Sequence, residues 1–128
     1  MKIEINFILY NNNNNNNMSM NLDTIYFNLI KQRKKIYETR VYDEKRQKIK
    51  LKDIIEFKDR GSSKTFKAMI TELAYFDNFK TAIEDCGVKK VMPNARSTED
   101  AVKLYESFPN YKTGAKKYGV LRMKFKLL

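Results

Sequence analysis

Lys35, Glu38 and Arg40 are the chain's most concentrated set of residues able to do chemistry, within Arg33-Lys34-Lys35-Ile36-Tyr37-Glu38-Thr39-Arg40. Glu38 and Arg40 lie two apart among β-forming residues, so in a strand both point to one face. Long charged side chains are rarely buried unless paired. Tyr37, Thr39 and Val41 suit a packed face, so Glu38 and Arg40 are expected to line a wet surface or a cleft. At the mouth of a cleft, Lys35 would meet an anion or a carbonyl. Glu38 would accept from amino groups such as the exocyclic amine of a base. Arg40 would fork onto a phosphate or ring oxygen, or hold Glu38 in place. The plainer alternative is a Glu38–Arg40 salt bridge, worth about 0–1 kcal/mol if exposed. Lys34 and Arg33 read as solvated phosphate contacts.

The wider charge pattern points the same way. The 128 residues carry a net charge of +11, with 26 Lys and Arg against 15 Asp and Glu. The excess is uneven: residues 31–60 hold twelve basic and six acidic residues, and Lys112 to Leu128 hold six basic residues and no acid. A basic surface favours polyanionic partners, because each neutralised phosphate releases condensed counterions. Tyr26, Tyr37, Tyr42, Tyr111 and Tyr118 could stack on bases at roughly 1–3 kcal/mol each, although most tyrosines are packing residues. Tyr118 is the first choice, since Lys116-Lys117-Tyr118-Gly119 joins charge, a ring and a glycine for close approach. Tyr42 is the second.

Much chemistry is excluded. With one cysteine, Cys86, and no histidine, the chain can form no internal disulfide, which fits a reducing, cytoplasmic or nuclear setting. Zinc sites of Cys and His and nucleophile systems that need His are ruled out; no metal or other cofactor is expected. No apolar run approaches the roughly 18 residues of a membrane span, and the start lacks a secretory signal pattern.

Several elements must position these residues within one domain. Ile3, Ile5, Phe7 and Leu9 alternate as a strand, either an added barrel strand or an appended arm. Asn11 to Asn17 is low-complexity sequence with nothing to bury, read as a disordered loop. Residues 1–17 are therefore set apart from a folded domain at 18–128. Met18, Met20 and Leu22 suggest a strand. Asp23 can cap a helix with Tyr26, Leu29 and Ile30 on its apolar stripe, ending in a basic run that suits the helix C-terminus. Strands follow at 36–42, 54–58 and 64–73, with a charged loop at 43–53 and a turn at Gly61-Ser62-Ser63. Asp77 can cap a second helix bearing Phe79, Ala82, Ile83 and Cys86 and ended by Gly87; Cys86 then belongs to the core rather than to catalysis. Val88 to Arg96 reads as a loop. Ser97 with Asp100 resembles a capping box for a helix with Ala101, Leu104, Tyr105 and Phe108, and Pro109 to Gly114 reads as a loop. In the last strand Leu121, Met123, Phe125 and Leu127 pack while Arg122, Lys124 and Lys126 face outward. These elements give an α+β chain.

The ordered motifs Tyr26-Phe27-Asn28-Leu29-Ile30-Lys31, Lys34-Lys35, Glu38-x-Arg40, Asp43-Glu44-Lys45-Arg46, Ile54-Ile55-x-Phe57 and Lys117-Tyr118-Gly119-Val120 resemble the small stand-alone ASCH-domain proteins of the PUA-like superfamily. Lys35, Glu38 and Arg40 match a family pattern of roughly Gly-x-Lys-x-x-Glu-x-Arg. Arg33 stands where the family usually has Gly, and Lys52 precedes Asp53 where Gly-Asp is common. The resemblance implies a PUA-like small β-barrel with flanking helices. It favours a ligand site over a bare salt bridge, with Lys35, Glu38, Arg40, Tyr42, Arg46, Lys117 and Tyr118 as candidate ligand- or RNA-binding residues. The expected partner is RNA, a nucleotide or a modified nucleoside. Some relatives are amidohydrolases that deacylate a modified cytidine through a Lys, a Thr and a Glu. There Lys35 would correspond to the Lys, but the Thr falls on Glu38; Thr39 should face the other way, and Glu72, Glu84 and Glu99 all remain possible for the distal acid. Lys35 and Glu38 would be the catalytic pair only if the protein is an enzyme of this kind, with Glu38 as base for water and Lys35 at the oxyanion. Ribonuclease activity, also attributed to an ASCH member, and a protein-interaction module meeting an acidic partner are further alternatives.

Overall fold

The computed structural model describes residues 2–4 and 17–128. A curled half-barrel sheet carries the chain, in the order β2-β4-β5-β6-β3, with β1 pairing beside β5. The strands are β1 (Lys2–Glu4), β2 (Asn17–Leu22), β3 (Tyr37–Val41), β4 (Ile54–Asp59), β5 (Thr65–Phe76) and β6 (Val120–Leu127). All pairings are antiparallel except β2 with β4. The expected α+β chain, a small β-barrel with flanking helices, takes the form of this curled half-barrel. Asn17 pairs with Ile54 in β2, so the last asparagine of the tract is strand, not loop; Asn11 to Asn16 and residues 5–10 lie outside the described residues.

Helix α1 (Thr24–Lys31) follows β2. It buries Tyr26, Phe27 and Ile30, so Phe27 takes the place on the stripe that helical spacing gave to Leu29, which is only partly covered. Asp23 occupies the N-cap position but makes no cap bond with its side chain; its carboxylate reaches Arg60 at 3.3 Å. The helix ends in a Schellman motif. Arg33 N–H donates to the Ile30 carbonyl and Lys34 N–H to the Leu29 carbonyl, both at 2.9 Å. Arg33 takes the left-handed conformation this ending needs, with φ 62°. That reversal turns Lys35 back into the protein.

Helix α2 (Phe79–Cys86) is capped by Asn78, not by Asp77: the Asn78 side chain accepts from Thr81 N–H at 2.9 Å. Gly87 ends it with φ 91°, as expected. Cys86 is half-buried against the core, and burial raises its thiol pKa, which suits packing rather than attack. The supposed loop at 88–96 begins with the single turn α3 (Val88–Val91). Ser97 caps α4 (Thr98–Glu106), accepting from Asp100 N–H at 3.1 Å. The return bond of Asp100 goes to Arg96 N–H, not to the cap residue.

Pro109 to Gly114 is not simply a loop. Helix α5 (Tyr111–Tyr118) starts there, after Asn110 in a left-handed conformation with φ 67°. Gly114 sits inside this helix because α5 presses on β3: a Cβ there would lie 3.0 Å from a Val41 methyl. A short 3-10 turn, Arg46–Lys48, interrupts the charged loop, where Lys50 and Asp53 pair at 3.4 Å with the Asp53 carboxylate fully buried.

The core fills the inside of the curl with Phe27, Ile55, Phe57, Ile70, Leu73 and Val120 among others. Each large apolar side chain buried there contributes roughly 1.5–3 kcal/mol. The last strand departs from strict alternation. Arg122, expected outside, is 2% exposed. Its guanidinium lies between the rings of Tyr37 and Phe76, 4.5 and 4.9 Å from their centres. It donates to the Ala82 carbonyl and pairs with Asp85 and Glu72. Lys124 is half-buried and Lys126 is exposed.

Candidate functional site

Lys35 is delivered by the turn after α1, and Glu38 and Arg40 stand on β3. All three are buried, at 2%, 5% and 7% exposure. Lys35 was expected at the mouth of a cleft, and Glu38 and Arg40 on a wet surface or in a cleft. They form a buried charge cluster at the base of a cavity, because α3, α4 and α5 close over that side of β3.

The Lys35 ammonium donates to the Val91 carbonyl and to Tyr105 Oη, and pairs with Glu38 Oε1 at 3.3 Å. Its three protons are thereby used. Glu38 Oε1 also accepts from Thr39 N–H at 3.0 Å, and Oε2 accepts from Arg40 Nε and Nη2 at 3.3 and 3.2 Å. The carboxylate's acceptor positions are therefore filled by the protein itself. Arg40 Nη2 further donates to the Asn21 carbonyl at 3.0 Å. No described group takes the Nη1 protons, and Arg40 lines the cavity. Of the three, Arg40 is the one with donors left for a ligand.

Burial pulls the Lys35 ammonium below its ordinary pKa, partly opposed by Glu38. Burial alone would raise Glu38; the charges of Lys35 and Arg40 and the Thr39 N–H outweigh it and hold the carboxyl below its usual range. For Arg40 the desolvation is overcome by Glu38, and the guanidinium stays charged. Two cations around one anion leave the cluster with an excess positive charge.

The cavity measures about 420 Å³, within the range of small-ligand sites. Its walls are aromatic: Tyr26, Tyr105, Phe108, Tyr111 and Tyr118. Tyr105 and Tyr111 lie nearly parallel to Phe79, at 5° and 4°, while Phe108 meets Tyr26, Tyr105 and Tyr111 edge-on. Burial raises the hydroxyl pKa of Tyr105 well above normal and that of Tyr111 above normal, so both rings stay neutral near pH 7. At the rim Arg46 pairs with Asp43 at 3.0 Å and Arg60 with Asp23 at 3.3 Å.

Of the residues expected at a site, Lys35, Glu38, Arg40, Arg46 and Tyr118 border this cavity. Tyr42 does not; it packs on Tyr75, ring centres 5.2 Å apart. Lys117 is not in the wall either, its ammonium lying 5.0 Å from the Tyr118 ring. Gly119 makes its close approach to the Tyr75 ring, not to a ligand: with φ 78°, any Cβ would collide with that ring. Tyr37 is committed to Arg122. Thr39, expected to face away, also borders the cavity, whereas Glu72, Glu84 and Glu99 do not. Sequence reasoning overlooked Tyr105, Arg60 and Asn21. Tyr105 lies on an apolar helical stripe and carries no signal that separates it from core. No described group of acidic, Cys or His residues could hold a metal ion, and no described helix is long and apolar enough to cross a membrane.

A model of the ASCH domain matches residues 20–128. The chain belongs to the ASCH domain family. ASCH domains are part of the PUA-like superfamily of RNA-associated domains, and the curled half-barrel is consistent with that fold. Two solved structures are similar. The crystal structure of hypothetical protein PH0355 has a TM-score of 0.78 and 35% identity, covering 88% of this chain and 100% of that one. The solution structure of protein PF0455 from Pyrococcus furiosus has a TM-score of 0.72 and 33% identity, covering 88% and 98%. No curated protein matches the chain significantly. Arg33 and Lys52, where the resemblance would place glycine, both hold left-handed backbone, with φ 62° and 69°. The backbone favours glycine there, and the chain carries cations instead.

Proposed function

We propose that this ASCH domain binds a nucleotide of RNA, or a modified nucleoside, in the aromatic cavity above the Lys35–Glu38–Arg40 cluster. The observation that carries this reading is the pair of unassigned Arg40 Nη1 protons at the base of a cavity walled by five aromatic rings. A nucleobase is flat and apolar on its faces and polar at its edge. The walls suit the faces, and a guanidinium fork suits a carbonyl and ring nitrogen or a phosphate. Tyr118 at the wall and Arg46 and Arg60 at the rim support the sugar-phosphate side. Glu38 holds Lys35 and Arg40 apart and in place and does not itself read the base, because its acceptors are occupied.

Titrating a panel of nucleosides and nucleoside monophosphates, acetylated cytidine included, tests this. Binding that Arg40→Lys weakens about tenfold, equivalent to about 1.4 kcal/mol, is expected. No binding of any member would reject the cavity as a nucleotide site. Following the same panel for product separates binder from hydrolase; with all three candidate distal acids outside the cavity, the reading favoured is binding without turnover.

A further inference from the structure

A second cavity, about 510 Å³, borders Lys35 from another direction, between the end of α1 and the end of β6. Arg33, Lys124 and Lys126 line it, with Ile30, Ile36 and Phe125 as apolar wall, and no carboxylate takes part. Arg33 and Lys126 are exposed and form no ion pair among the described residues. The Lys124 ammonium lies 6.0 Å from the Tyr37 ring centre.

Two features indicate what this groove receives. First, β6 outruns its neighbour: Tyr37, the first residue of β3, pairs with Lys124, so Phe125 to Leu127 extend past the end of β3 as an open shelf. A cationic groove along such a shelf is the arrangement that tracks a single-stranded backbone; the Phe125 ring packs on Phe57, ring centres 5.1 Å apart, and supplies the groove's apolar floor. Second, Arg33 occupies a left-handed position that an L side chain adopts at a cost. A strained residue with a free cation over an acid-free groove points to use of that cation.

We infer that this second groove holds the phosphates of the RNA segment that flanks the nucleotide in the aromatic cavity. The inference rests on the nucleotide-binding reading and extends it from one nucleotide to a strand. Phosphate fits because Arg33, Lys124 and Lys126 line the groove and no carboxylate does; an acidic peptide is the competing occupant that the test includes.

The test uses a fluorescent oligouridylate, titrated over a range of salt against the full chain, Arg33→Gly and Arg33→Gly/Lys126→Gln. Uridine monophosphate is titrated in parallel. Arg33→Gly should lower the slope of log affinity against log salt by about 0.7 and the double variant by about twice that. Thermal stability should hold or rise in Arg33→Gly, because glycine suits the backbone, and monophosphate binding should be unchanged. Oligonucleotide affinity and slope unchanged in both variants would overturn the groove. If Arg40→Lys still weakened binding in that case, the cavity reading would stand alone. Conversely, oligonucleotide binding that depends on the groove but not on Arg40, with no monophosphate binding, would reject the cavity and with it the inference that the groove flanks a cavity-bound nucleotide. Equal binding of poly-glutamate at matched charge would overturn the assignment to RNA.

Discussion

Arg40 and Arg122 sit on adjacent paired strands, and both are almost wholly buried. Thr39 pairs with Arg122 and Arg40 with Leu121, so alternation places the two guanidiniums on opposite faces of the sheet. Arg122 is enclosed by two rings and held by the Ala82 carbonyl, Asp85 and Glu72, and it lines neither of the two cavities described. Arg40 is held on one side only and faces open space. The same residue type, buried in both places, is thus a structural clamp in one and a candidate reader in the other. Burial does not separate the two roles; what separates them is whether donors remain beside a cavity.

The sharpest way to break this contrast is Arg122→Ala. Removing it leaves a void between Tyr37 and Phe76 and deprives Asp85 and Glu72 of their buried partner. Breaking such a pair costs about 3–5 kcal/mol, toward the lower end here because both acids are about a third exposed. Denaturant unfolding should show the loss, while nucleotide affinity per folded molecule stays the same. If affinity fell with stability unchanged, the two arginines would have to exchange roles.

Glu38→Gln comes next. The carboxylate is buried between two cations, so its loss should destabilise by about 2–4 kcal/mol and should also weaken binding by releasing Arg40. The folded-state pKa of Glu38 lies below its unfolded value. Its contribution is therefore present above the unfolded carboxyl pKa and fades as pH falls through the folded one. Unfolding measured from neutral to acid pH should show a shallower loss in Glu38→Gln than in the natural chain. Parallel curves would mean that the fold does not lower the Glu38 pKa, and a steeper loss in Glu38→Gln would mean that the carboxyl is held neutral. Lys35→Ala should cost a similar amount, because it takes one of its two cations from the buried Glu38 carboxylate; Lys34→Ala, exposed, should change stability by no more than about 0.5 kcal/mol.

The smallest effect is expected far from either arginine. Removing asparagines from 11–16 while leaving enough chain to join β1 to β2 should shift stability by about 0.6 kcal/mol or less, since loop closure depends weakly on length. A loss of several kcal/mol in a thermal melt would give the tract an ordered role.

The sheet, α1, α2 and α4 were legible because their apolar residues keep period two or 3.6. Helix α5 was not, because Pro109, Asn110 and Gly114 look like loop; only the close packing of Gly114 on Val41 explains a glycine within that helix. The residues of the charge cluster were found from their types and spacing, but their burial was not. Alternation on an isolated strand cannot register that helices cover both faces of β3 and β6, and for the same reason Arg122 read as a surface cation. Tyr42 and Lys117 were attractive for their composition, yet each turns to a neighbouring ring, a choice made by tertiary packing.

The measurement that reaches the central claim most directly is a titration of cytidine and uridine monophosphates followed by amide NMR, with the natural chain and Arg40→Lys side by side. Saturable shifts at Gly114 and at Tyr105 and Tyr111, weakened about tenfold by Arg40→Lys and left intact in the folded fraction of Arg122→Ala, are predicted. Saturable binding that shifts other regions and ignores Arg40→Lys would contradict the account.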